Sequence, residues 1–218
     1  MAVPLLLAGK SAKDGEVFAQ SGEHPEASQP SHGPVTRREV ICFDCRAVSK
    51  PSAKASSTQC ANCGAFIDLR DVEIRERSTQ RIRTRGHVTI HKKGAFLGTA
   101  IHCGSLRVEG SIAGSIHAQE AVEFRTDAKV LGEIRCRRLI VEKRCHLQGL
   151  QPIRVDSLEL HGSLTARVVV KGLAEIMRHA RLEGGLSAAG LKLEVGSEVE
   201  AVLEIRGTAG LEDRADTI

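Results

Sequence analysis

From His87 to Arg206 the chain repeats one short pattern: two or three apolar residues separated by charged or small polar ones, then a glycine. Examples are Val88-Thr89-Ile90, Leu106-Arg107-Val108, Val122-Glu123-Phe124, Leu139-Ile140-Val141 and Leu158-Glu159-Leu160, with Leu191-Lys192-Leu193-Glu194-Val195 near the end. Alternation with a period of two places one set of side chains in a core and the other in water, which is the signature of a strand. The repeating segments begin at His87, Leu106, Ala121, Leu139, Leu158, Ala174 and Lys192, in steps of 15 to 19 residues. Short strands recurring at this period predict a solenoid, in which each repeat is one turn stacked on the next. The expected fold is all-β: a parallel β-helix of about seven rungs. Pro152 is the only proline between 87 and 206, so the ladders are rarely interrupted.

Handedness is less legible. A six-residue step runs through Leu106, Ile112, Ala118, Phe124, Val130 and Cys136, as in left-handed hexapeptide acyltransferases, and then breaks at Glu142. The drift in segment length favours the right-handed form.

The segments outside the repeat read differently. Residues 1–38 are rich in Ser, Ala, Gly, Pro and Gln and hold few large apolar residues, which predicts a disordered N-terminal tail. Residues 39–72 hold four of the seven cysteines and predict a small separate module. Residues 73–86 carry many arginines and read as a basic linker, 87–206 as the β-helix, and 207–218 as a polar C-terminal tail. The stretch Leu5-Leu6-Leu7 is too short to span a bilayer and reads as a frayed end, with contact to a membrane surface as the alternative.

Composition narrows the function classes. The 218 residues include no Trp, no Tyr and five Phe, while hydrophobic residues make up 41%. The core must therefore be aliphatic, which suits a narrow stack of like residues. A base-stacking platform for single strands needs exposed rings and is disfavoured. The net charge of +4 arises from 31 basic and 27 acidic residues, a mixed surface that gives no strong argument for nucleic acid.

The most specific local signal is Cys42-Phe43-Asp44-Cys45 followed by Cys60-Ala61-Asn62-Cys63-Gly64. Two C-x-x-C pairs at this separation can bring four thiolates to one tetrahedral ion. Four sulfur ligands leave no open position, so the site is expected to be structural, a zinc ribbon whose Zn2+ supplies much of the folding energy. Rubredoxin-type iron is the alternative. Cys103, Cys136 and Cys145 have no such spacing and read as buried small hydrophobes. The odd cysteine count and the absence of a signal-peptide pattern predict a reducing cytosol.

No catalytic residue can be named. The histidines after residue 86 are scattered, and there is no phosphate-binding glycine loop, nucleophile elbow or paired-carboxylate signature. Basic residues Arg75, Arg77, Arg81, Arg83 and Arg85, with Arg135, Arg137 and Arg138, are candidates for an anionic surface, against the plainer reading of a solvated face. The ends of a β-helix expose unpaired backbone and apolar side chains, and no capping helix is evident in the sequence. Candidate polymerisation contacts are Val88, Ile90 and Phe96 at the first rung, and Leu193, Val195, Val199, Val202 and Leu203 at the last.

The stretches Ile82-Arg83-Thr84-Arg85-Gly86-His87-Val88-Thr89-Ile90, Leu106-Arg107-Val108-Glu109-Gly110-Ser111-Ile112-Ala113-Gly114-Ser115-Ile116 and Lys129-Val130-Leu131-Gly132-Glu133-Ile134 resemble the bactofilins, polymer-forming cytoskeletal proteins of bacteria. The resemblance implies a right-handed β-helix that assembles end to end into filaments without nucleotide. It also implies no enzymatic activity and use as a scaffold for client proteins in the cytoplasm, often at the inner face of the membrane. The cysteine module departs from the family pattern, and the repeat drifts from Leu150 onward, around Gln151-Pro152. The leading expectation is thus a homopolymeric scaffold with a zinc-ribbon adaptor. A module that binds nucleic acid or protein through the ribbon and the basic segment comes second, and a hexapeptide-type acyltransferase third.

Overall fold

The structure is a computed structural model, and it describes residues 36–206. The expected tails, including Leu5–Leu7, lie outside the described residues, except that the ribbon begins slightly earlier than expected. Arg37 pairs with Ser52 in an antiparallel bridge, and Arg38 donates to the carbonyls of Ala55 and Leu69.

Two small hairpins come first. β1 (Val40–Ile41) pairs antiparallel with β2 (Val48–Ser49), and β3 (Ser57–Gln59) with β4 (Phe66–Asp68). Every later strand is parallel to its neighbours, and no helix occurs among the described residues.

The rod is a β-solenoid of about eight turns. Its first turn is β5 (Val72–Ile74), β6 (Arg77–Ser78) and β7 (Ile82–Arg83). The second is β8 (His87–Ile90), β9 (Ala95–Phe96) and β10 (Ala100–Cys103), and the third β11 (Ser105–Val108), β12 (Ser111–Ile112) and β13 (Ser115–Ala118). After β14 (Ala121–Phe124) and β15 (Ala128–Val130), strands begin to run through corners: β16 (Ile134–Val141), β17 (His146–Gly149), β18 (Ile153–Leu160), β19 (Ser163–Ile176), β20 (Arg181–Leu193) and β21 (Glu198–Ile205). The long strands bend at register shifts between Val155 and Leu158 and between Val170 and Leu173, where bulges replace loops.

Parallel register stacks like on like. On one face Val72, Val88, Leu106, Val122, Leu139, Leu158 and Ala174 form one inward column. A second column on that face runs Ile74, Ile90, Val108, Phe124, Val141, Leu160 and Ile176. On another face Ile82, Ile101, Ile116, Ile134, Ile153, Val168 and Leu186 form a third. Nearly all are fully buried in one continuous core. Each fully buried Val, Leu, Ile or Phe among them contributes about 1.5–3 kcal/mol. Phe96 stays within this narrow core because it stacks between Ser78 and Ile112, and because a Cβ on Gly98 would lie 2.6 Å from its ring.

The start of the rod corrects the sequence reading. Residues 73–86 are the first turn, not a linker: β5, β6 and β7 pair with β8, β9 and β10. The outward arginines mask the inward Val72, Ile74 and Ile82. One more turn therefore exists than the seven expected. Val88, Ile90 and Phe96 consequently sit in the second turn, fully buried beneath the first, and are not end residues. Thr84 clamps the corner where the ribbon enters the rod. Its hydroxyl, almost fully buried, donates to the Arg70 carbonyl at 2.7 Å and accepts from the Gly86 amide at 2.9 Å.

Candidate metal centre

The two hairpins build the cysteine cluster by a repeated local device. After the first pair, the Cys42 amide donates to the Ala47 carbonyl at 2.9 Å; after the second, the Cys60 amide donates to Ala65 at 2.9 Å. Each turn needs a left-handed residue just after its second cysteine. Gly64 fills that place at φ 71°, where an absent Cβ costs nothing, and Arg46 fills the matching place at φ 60°.

The four Sγ atoms of Cys42, Cys45, Cys60 and Cys63 all lie within 4.8 Å of one another. Cys42 and Cys63 approach to 3.7 Å, and Cys45 and Cys60 to 3.4 Å. Four sulfurs around a tetrahedral zinc at about 2.3 Å stand about 3.8 Å apart, so the donor set fits such an ion. These four cysteines could hold a metal ion. The amides of Cys45 and Asp44 hold the Cys42 thiol below its usual range. The Asn62 side chain, helped by the Ala47 amide, brings Cys45 down to about 6. The Ala65 amide favours the Cys63 thiolate, but the neighbouring sulfurs of Cys45, Cys42 and Cys60, together with burial, outweigh it and raise Cys63 to about 12. Four crowded thiols cannot all ionise without a cation among them.

The cluster is docked on the side of the rod. The face built by β7, β10, β13 and β16 presents an outward column of Arg83, His102, His117 and Arg135. Phe43, between the first two cysteines, meets this column. Arg85 lies 3.7 Å and Arg83 4.6 Å from its ring centroid, and His102 packs against its edge at 6.3 Å. His102 in turn stacks on His117 at 4.8 Å. Polar contacts complete the dock. Arg83 pairs with Asp44, Arg85 donates to the Ile41 carbonyl at 2.7 Å, and the Ile41 amide donates to Gln119 at 3.3 Å. Burial lowers the pKa of both histidines; His117 adds to the effect on His102, while Arg135 depresses and Glu133 raises that of His117.

The remaining candidates are dispersed. Cys103, Cys136 and Cys145 are buried in the rod, and burial pushes Cys103 up to about 12 and raises the other two. The basic residues do not form one stripe. Arg75 pairs with Glu73 beside the exposed Arg77 and Arg81 in the first turn; Arg83 and Arg85 face the ribbon; Arg135 pairs with Glu133; and Arg138 pairs with Glu159 on a different face. Arg46, His102, His117 and Gln119 belong to the junction and were not singled out as site residues in the sequence. Their proximity depends on the ribbon folding back, which local spacing does not encode.

At the rod's ends the strands run out of partners. Among the described residues, β5 pairs only with β8, β6 with β9 and β7 with β10 at one end, and β21 pairs only with β20 at the other. The last turns expose Leu193, Val195 (93%), Val202 (80%), Leu203 and Ile205, with Val199 half-buried.

Residues 58–151 match the bactofilin family. The family is described as polymer-forming cytoskeletal. The bactofilin match opens inside the ribbon, at β3, and runs through the first turns to β17. It closes where the sequence repeat drifts, although the solenoid continues to Ile205. Cys60 and Cys63 fall inside the match and Cys42 and Cys45 outside it. No curated protein and no solved structure matches the chain. A solenoid that carries a bactofilin match fits a polymer-forming cytoskeletal protein, a structural rather than enzymatic family.

Proposed function

We propose that the chain is a self-assembling scaffold whose rods stack end to end without nucleotide, and whose ribbon binds a structural Zn2+ and recruits client proteins. The observation that carries this reading is the pair of unpaired strand edges at the two ends of the rod. Each edge offers the free backbone donors and acceptors of its outermost strands, the arrangement that templates another chain. At the far end the apolar side chains of Val195, Val202 and Leu203 are available for burial. At the near end Val72 is half-buried while Ile74 and Ile82 are buried, so the contact there rests mainly on the backbone edges of β5, β6 and β7, in place of Val88, Ile90 and Phe96. Seven free cysteines fit a reducing cytosol, with the inner membrane face as a further location.

Negative-stain microscopy of the purified chain without nucleotide tests this reading. Filaments or sheets are expected, and Val202→Arg with Leu203→Arg should abolish them while leaving the β-type circular dichroism intact. A monomer at every concentration and salt condition would overturn it.

A further inference from the structure

Between the ribbon and the rod lies a cleft of about 580 Å³. One wall is the ribbon turn from Ile41 to Arg46, and the other is the face of the rod from His102 to Lys171. Six permanently cationic side chains line it: Arg46, Arg85, Arg135, Arg137, Arg154 and Lys171. Two carboxylates answer them. Glu133 is shared by Arg135 and Arg154, and Asp156 pairs with Lys171 at 3.3 Å. Arg46, Arg85 and Arg137 have no carboxylate partner among the described residues. The floor between these charges is aliphatic, with Ala118, Val155 and the partly exposed Val169.

We propose that this cleft is the docking site for an acidic segment of a client protein, in which carboxylates flank an aliphatic side chain. The proposal deepens the recruitment role proposed above, but it does not depend on filaments, because every wall of the cleft belongs to one chain. Guanidinium groups match carboxylates in planar, two-bonded geometry. The aliphatic floor gives an apolar side chain somewhere to go, which a bare phosphate chain would not use. Of the rings in the cleft, Phe43 is covered by Arg85 and packs against His102, and His102 and His117 are stacked on each other, which leaves little ring face for a nucleobase. A flat lipid surface cannot reach between the two walls. The cleft also lies on the side of the rod, where end-to-end stacking leaves it open.

The test uses the full zinc-loaded chain and a short labelled peptide of glutamate alternating with valine. Its lysine-for-glutamate counterpart, a labelled single-stranded oligonucleotide and vesicles with anionic headgroups serve as competing probes. The acidic peptide is expected to bind best. Arg46→Glu combined with Arg137→Glu should lower its affinity roughly a hundredfold, tenfold for each reversed charge, while Arg138→Glu on another face changes it less than about twofold. Both arginines of the double variant are exposed, its circular dichroism should match the parent, and the affinities are compared on samples of equal zinc content. Tighter binding of the oligonucleotide or vesicles than of the peptide, or unchanged peptide binding in the double variant, overturns the proposal. Filament formation is scored on the same samples. A chain that binds the peptide but never assembles counts against the scaffold and leaves the cleft standing.

Discussion

The ribbon and the rod reach stability by opposite routes. The ribbon's core is five buried residues, Val40, Cys42, Cys60, Ile67 and Leu69, two of which belong to the cysteine cluster. Such a cluster offsets little of the entropy of ordering the hairpins, and an ion held by the four thiols would supply the missing core. The rod instead has one continuous aliphatic core through its turns, and each added turn brings its own burial and its own ladder of hydrogen bonds. One part is held by a point and the other by a line. The expected consequence is that the ribbon is lost as a unit while the rod survives.

The largest test of this contrast is metal removal. Chelation, or Cys60→Ser, should unfold the ribbon, since a structural zinc site supplies about 10–16 kcal/mol of apparent binding energy. The main thermal transition of the rod and its β-type circular dichroism should persist. A single transition that collapses with the metal would mean that the two parts fold as one.

The complementary change is Leu139→Ala in the middle of an inward column. It should cost about 2–5 kcal/mol of rod stability, read by denaturant titration, and leave zinc stoichiometry unchanged.

At the boundary, Thr84→Val removes the hydroxyl that joins Arg70 to Gly86 and leaves a buried amide unsatisfied. About 1–3 kcal/mol should be lost. Proteolysis near residues 70–86 should rise before either part unfolds.

Acid probes the dock itself. The folded pKa values of His102 and His117 lie below the ordinary histidine range, so the docked state prefers both rings neutral. Their contribution to docking is complete above about pH 6.5, the ordinary value, and is lost as pH falls through the lowered folded values. Arg81, Arg83, Arg85 and Arg135 oppose protonation and Glu133 favours it. Protease access to the ribbon should therefore increase on acidification, with His102→Phe blunting the effect.

The smallest expected effect is Arg46→Gly. It relieves a left-handed non-glycine residue and should stabilise the ribbon by about 1 kcal/mol, seen as tighter zinc retention.

The β-helix was legible because its period is written in side chains. The six-step Leu106, Ile112, Ala118, Phe124, Val130, Cys136 marks one residue per face, each buried or packed against the core, over two turns. It breaks at Glu142 because Phe124 stacks on Val141, so the inward position falls one residue earlier than a six-step requires, not because the solenoid stops. The first turn was missed because its arginines and glutamates outnumber Val72, Ile74 and Ile82, and only pairing with β8, β9 and β10 reveals which side chains point inward.

The cysteine cluster was equally legible, since C-x-x-C spacing fixes a turn and a turn fixes two sulfurs. By itself, then, the sequence determined the strand period, the aliphatic core and the four thiols, because each is set by residues near in the chain or repeating along it. Only the tertiary structure decided where the rod begins, which ends are bare, and that the ribbon folds back on the outward Arg83, His102 and His117 column to form a cationic cleft. Those features join residues as far apart as Ile41 and Gln119, and no local periodicity carries information about such a contact.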